Sequence, residues 1–410
     1  MTQFLFRNFQ LLNPVWDEVR SGYEVLVVDG EISEVSDRPI HADTAQVIDC
    51  DGRTLMPGLI DCHVHAFMSE VNIGKLAAVP LTLMTARGSG RMHAMLNRGF
   101  TTVRDAAGAD WGLRQAIEEG LIIGPRIFIS GRGIGPTGGH SDSRTRTQGD
   151  FPCPCCNAVA FQAKIADGVD EVQKAVREEI RQGADAIKIM ASGGVASPYD
   201  PLDSRQYSQP ELDIAVEEAE AFGLYVLAHA YTPEAITRCM NAGVRTIEHG
   251  NLVDEASANL MAEKGAYLVA NLVAYHVMKE RAAQFGMTAD MLEKNEIVLE
   301  AGLRSLDICR QAGVPVAYGS DLLGELENEQ SREFMIRQEV CPSLEIIRSA
   351  TTIGAEVIRQ EGKLGVIQHG AIADLLLVDG NPLDDLSLLQ GQGAHLPLIM
   401  KGGALHKNQL

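Results

Sequence analysis

Aromatic side chains are scarce in this chain, at 5% of 410 residues. Basic residues are outnumbered, with 35 lysines and arginines against 55 aspartates and glutamates. The formal charge of -20 excludes a nucleic-acid partner, because phosphate binding rests on a concentrated basic surface. Long apolar runs are missing too. None approaches the roughly 20 residues that cross a bilayer, and the opening segment MTQFLFRNFQLLNP is too interrupted for a secretory signal. The expectation is therefore a cytoplasmic protein without a membrane partner. Eight cysteines are too thinly spread for a disulfide-stapled domain. Cys50, Cys62, Cys239, Cys309 and Cys341 stand apart and are expected as free thiols. The cluster Cys153, Cys155 and Cys156 has a spacing that suits neither a zinc knuckle nor a thioredoxin-like pair, and is expected in a loop.

What is present is the material of a globular enzyme, 45% hydrophobic and 22% charged. From Phe4 to Ile48 short apolar segments alternate with turn residues, and Asp29-Gly30 predicts a hairpin. This reads as a small antiparallel sheet. The pattern returns near the other end, in ADLLLVDGNPLDD and HLPLIMKGGALHKN. Neither end has enough strands to be stable alone, so residues 1–56 and 362–410 are expected to form one composite β-sandwich domain. Between them, residues 57–361 alternate strand and helix, the rhythm of a parallel sheet. Eight strands are predicted, at Leu55 to His65, Thr101 to Arg104, Arg126 to Ser130, Ala186 to Met190, Leu224 to His229, Arg245 to His249, Tyr267 to Asn271 and Pro315 to Asp321. The fold class is thus α/β, a distorted (β/α)8 TIM barrel. In such barrels the chemistry sits at the C-terminal ends of the strands.

Those ends carry a particular set of side chains. His63 and His65 lie two residues apart on one side of the first strand, so both imidazoles can reach one ion. Lys188 lies in the apolar run Ala186 to Met190, where an unpaired ammonium is strongly disfavoured. It needs either an ion pair with a carboxylate such as Asp105 or conversion to a carbamate, whose oxygen pair can bridge two cations. His229, His249 and Asp321 close the fifth, sixth and eighth strands. Imidazole and carboxylate are the ligands zinc accepts at an open catalytic site, although cobalt or manganese would accept them too.

Six segments together resemble the amidohydrolase superfamily, in its prolidase-like and ochratoxinase-like branch. They are Met56 to His65, Gly135 to His140, Ile187 to Gly194, His229 to Tyr231, Ile247 to Gly250 and Ala373 to Pro382. The resemblance implies two zinc ions per chain. His63, His65 and Asp321 would hold one, His229 and His249 the other, with carbamylated Lys188 bridging. Cys62, where relatives have Asp or Thr, points away from the ligands on the strand and is expected in packing.

Two metal ions lower the pKa of a bridging water and polarise a carbonyl, so hydroxide attack needs no nucleophilic side chain. Asp321 is expected to shuttle the proton to the leaving amine. The resemblance assigns substrate contacts to His140 and Tyr231, which can grip a carboxylate or a developing oxyanion. It therefore implies hydrolysis of amides to a C-terminal α-amino acid: Xaa-Pro or other dipeptides, N-acyl amino acids, or an ochratoxin-A-like phenylalanine amide. The expected partner is a small molecule or dipeptide with a free carboxylate, and the resemblance adds a homo-oligomer. His276 is a weaker pocket candidate, and Arg144 and Arg205 are possible carboxylate clamps. The alternative is an imidazolonepropionase-like cyclic-amide hydrolase, deaminase or lactonase on the same fold, which Lys188 opposes because a one-metal site needs no bridge.

Overall fold

Eight short parallel strands separated by helices form the centre of the chain in the computed structural model, which describes residues 2–71, 75–76, 79–144, 163–197 and 199–410. Cys153, Cys155 and Cys156 lie outside the described residues. The barrel strands are β1 (Leu59–Val64), β2 (Phe100–Asp105), β3 (Arg126–Ile129), β4 (Ile187–Met190), β5 (Val226–Ala230), β6 (Thr246–His249), β7 (Tyr267–Ala270) and β8 (Val316–Tyr318). Every residue of β1, β2, β4, β5 and β6 is buried. That is why these strands read as apolar runs rather than alternations.

Strands β1 to β3 pair in parallel with one another, and β4 to β8 do the same in a second run. Two seams close the barrel. At one, Asp185 N donates to Ile129 O at 2.7 Å while the Asp185 carboxylate accepts from Ile129 N at 2.8 Å. At the other, Asp321 N donates to His63 O at 2.8 Å.

The first predicted strand is in fact two. Thr54–Pro57 belongs to a sheet of chain-end strands, and β1 begins only after Gly58. Gly58 N bonds Asp374 O, and a side chain at Gly58 would collide with Thr101. The chain therefore changes sheet at the one residue small enough to pass there. The eighth strand is shorter than predicted and stops at Tyr318, three residues before Asp321, which takes a left-handed conformation with φ 52°.

The two chain ends do join. One sheet has six strands, ordered Ala404–Asn408, Leu398–Lys401, Leu375–Val378, Thr54–Pro57, Gln10–Leu11 and Arg20–Ser21. A second has four, Glu31–Ser36, Glu24–Val28, Gln3–Arg7 and Gln46–Asp49. Phe6, Leu11, Val25 and Ile32 share one buried cluster with Leu375, Leu377, Leu398 and Met400. Asp29 and Gly30 have φ of 49° and 92°, as the predicted two-residue hairpin turn requires. The sheets are mixed rather than antiparallel: Gln3–Arg7 pairs in parallel with Gln46–Asp49, and Gln10–Leu11 with Thr54–Pro57. The hairpin Glu24–Ser36 lies between the first pair in sequence, so the chain returns to the sheet in its original direction.

Candidate metal centre

The predicted strand-end residues meet at the barrel mouth. His63 Nε2 and His65 Nε2 stand 3.3 Å and 3.0 Å from the same oxygen, Asp321 Oδ1. His249 lies across from them, 3.8 Å from Asp321 Oδ2. The ligating atoms of His63, His249 and Asp321 all fall within 4.8 Å of one another. His229 packs edge-on against His249, with ring centroids 4.4 Å apart. Asp321 and His249 also share a backbone peculiarity, φ of 52° and 75°. Left-handed non-glycine residues are uncommon and collect at functional sites. Burial alone would raise the Asp321 carboxyl, but the imidazoles around it hold it well below the usual range.

Lys188 is buried and forms no ion pair with any described carboxylate. Burial pulls its ammonium down to about 8, against the opposing charges of Glu248 and Asp321. Asp105, the alternative partner considered from the sequence, is occupied otherwise: its oxygens accept from Ala66 N at 2.7 Å and Ala109 N at 3.0 Å.

Behind the imidazoles is a layer of groups that orient them. His63 Nδ1 contacts Glu248 Oε2 at 2.6 Å, and Arg104 Nη2 holds the same carboxylate at 2.7 Å and 2.8 Å. His65 Nδ1 faces Ala107 O at 2.8 Å and His229 Nε2 faces Gly193 O at 3.0 Å. Asp61 accepts from His63 N, from Ser320 Oγ at 2.6 Å and from Gln330 Nε2 at 2.8 Å, tying β1 to the chain after β8. His249 Nδ1 meets Asn271 Oδ1 and the Tyr275 hydroxyl, each at 3.0 Å. Sequence reasoning missed Glu248, Arg104, Asp61, Asn271 and Tyr275. For Glu248 and Arg104 the signal was available, since each is a charged residue inside an apolar strand, as Lys188 is.

The candidate substrate residues divide. His140 stacks on His229 with centroids 4.2 Å apart, and its Nδ1 meets Ser197 Oγ at 2.9 Å. Tyr231 stacks on His249 at 5.0 Å, fixed by the helix Pro233–Ala242 that starts right behind it, with Thr232 as cap and Pro233 in its first turn. His276 is not brought in. Its charged neighbours are Arg332, Glu280, Glu339 and Lys279, whereas the preceding residue, Tyr275, faces the imidazoles. Arg144 is held by Asp142 at 2.7 Å, and Arg205 pairs with Glu234 on the exposed surface. Cys62 packs outward, its thiol against Gly354 O. No helix among the described residues is long and apolar enough to cross a membrane.

Residues 54–405 match the Amidohydrolase family. The chain is 32% identical over 367 residues to the ochratoxinase of Aspergillus niger, covering 86% of this chain and 75% of that one. An amidohydrolase crystal structure superposes with a TM-score of 0.97 at 52% identity, covering 100% of both chains. A prolidase complexed with N-methylphosphonate-L-proline superposes equally well, with a TM-score of 0.97 at 49% identity over 100% of both chains.

Proposed function

Because the chain belongs to the amidohydrolase family and is a hydrolase acting on amide bonds, we propose that it cleaves the amide bond to a C-terminal α-amino acid at a binuclear zinc centre. The observation that carries this reading is the convergence of His63 Nε2 and His65 Nε2 on one Asp321 oxygen, with His249 within reach and an unpaired Lys188 buried nearby. The donor set fits: imidazoles, one carboxylate, and an amine whose conversion to a carbamate would remove the problem of a buried, unpaired cation.

His63, His65 and Asp321 would hold one ion, His229 and His249 the other, and carbamylated Lys188 both. When bound, such a pair acidifies water and polarises the scissile carbonyl. Asp321 accepts the released proton on a carboxylate oxygen and delivers it to the departing amine. His140 and Tyr231 orient the substrate through its carboxylate or through the oxygen that gains charge. The ochratoxinase and prolidase relatives support substrates of this shape: Xaa-Pro and other dipeptides, N-acyl amino acids, or a phenylalanine amide of the ochratoxin A type. We also read the two chain-end sheets as one β-sandwich domain, residues 1–56 with 362–410, packed on the barrel of residues 57–361.

The test is a matched substrate pair, an N-acyl amino acid and its C-terminal carboxamide. A buried recognition site left unpaired by the wrong substrate discriminates strongly, so the free acid should be preferred by about a hundredfold or more. Tyr231→Phe should erode that preference while zinc content stays at the wild-type value. Equal rates on both compounds with the wild type would overturn the reading and favour an esterase, lactonase or cyclic-amide hydrolase.

A further inference from the structure

Tyr231 does not stand alone at the mouth. Its hydroxyl lies 2.8 Å from the hydroxyl of Tyr275, and that hydroxyl lies 3.0 Å from His249 Nδ1. Asn271 Oδ1 is 3.0 Å from the same nitrogen and 3.5 Å from the Tyr275 hydroxyl. All four residues are buried, at 0% to 3% exposure. Asn271 occupies the N-cap position of the helix Leu272–Glu280 and Tyr275 lies in its first turns, so one element brings both groups to His249.

Counting donors and acceptors orients the chain of bonds. Asn271 Oδ1 only accepts, so His249 Nδ1 carries the hydrogen of that contact. The Tyr275 oxygen shares this hydrogen, and its own proton must then find another acceptor. The Tyr231 oxygen at 2.8 Å is a better acceptor than Asn271 Oδ1 at 3.5 Å. A phenolic hydrogen prefers the plane of its ring, and for Tyr231 the direction toward Tyr275 is already filled. Its hydrogen is left pointing away from Tyr275 as a free donor.

We propose that Tyr275 is a positioning residue whose hydroxyl fixes Tyr231 as a hydrogen-bond donor to the substrate carboxylate. The inference rests on the reading above, in which Tyr231 contacts that carboxylate. Without the Tyr275 hydroxyl, the Tyr231 hydroxyl is no longer confined to one donor direction, and its bond to the carboxylate loses that alignment. A carboxamide tolerates either orientation because it both donates and accepts. Tyr275 therefore bears more on the choice between acid and amide than on turnover in general.

The experiment measures kcat/KM for the matched acid and carboxamide with wild type, Tyr231→Phe, Tyr275→Phe and the double variant, alongside zinc content. Phenylalanine preserves the ring volume at both positions. Tyr275→Phe should lower kcat/KM for the acid about five- to tenfold more than for the carboxamide, the worth of one neutral hydrogen bond, with zinc retained because Asn271 Oδ1 still accepts from His249 Nδ1. Because Tyr275 acts through Tyr231, the double variant should be no worse on the acid than Tyr231→Phe alone. Equal losses on acid and carboxamide, or losses that multiply in the double variant, would make Tyr275 an independent structural residue and overturn the proposal. A clear effect of Tyr231→Phe with none from Tyr275→Phe rejects the relay alone. An acid preference that survives Tyr231→Phe rejects the underlying reading and the relay with it.

Discussion

Among single residues, Lys188 is the most demanding. A buried amine without an ion pair is expensive in its charged form, and its depressed pKa of about 8 leaves a fraction of neutral amine to react with carbon dioxide. Lys188→Ala would remove the proposed bridge, and two cations would face each other with fewer ligands between them. Metal analysis should show zinc falling from about two per chain to one or fewer, with activity lost and partly restored by acetate or formate. Normal zinc and full activity in that variant would remove the carbamate from the proposed centre. The strand-end histidines and Asp321 were legible because each is a polar residue ending an apolar run. Glu248 and Arg104 obey the same desolvation argument as Lys188, yet their partners are 144 residues apart in sequence. Tyr275 gave no such signal, since a tyrosine on a helix is ordinary until a second tyrosine is placed against it.

At the level of elements, the loop after β4 sets the position of His140. Gly194 has an ordinary negative φ, so alanine is conformationally acceptable there, but an added methyl would overlap the His140 ring. The loop or the imidazole must move, and a displacement of about 1 Å costs up to a hundredfold in rate when it misplaces a substrate contact. Gly194→Ala should accordingly lower kcat/KM about tenfold or more while zinc is retained and the chain still folds. Unchanged kinetics would detach His140 from the substrate. Strand existence was readable from apolar runs, but strand ends were not. The break at Gly58 is set by Thr101 and Asp374, and β8 stops three residues before the left-handed Asp321. The first depends on residues distant in sequence.

For the whole molecule, the candidate ligands come from five different strands or their ends, so an ion held between them would bind the folded chain and not the unfolded one. Metal free at about a thousand times its dissociation constant adds about 4 kcal/mol to the stability of such a fold. Exhaustive chelation should then lower the melting temperature by about 5 °C, and added zinc should restore both temperature and activity. Identical melting curves before and after chelation, with activity retained, would argue against a resident metal. The barrel is held by its two seams, at Asp185 and Ile129 and at Asp321 and His63. The second seam is built from candidate ligands, so the contact that closes the barrel also sets two of them side by side.

The sequence by itself determined the class of this protein. Buried parallel strands leave an apolar pattern that does not depend on neighbours, and ionisable groups placed inside or at the ends of those runs disclose chemistry because burial makes them costly. Only the tertiary structure decided which groups serve each other. Glu248 on His63, Asn271 on His249 and Tyr275 on Tyr231 are contacts between strands and helices remote in the chain. Hydrogen-bond direction depends on distances of a few tenths of an ångström, and no local pattern of residue types encodes those.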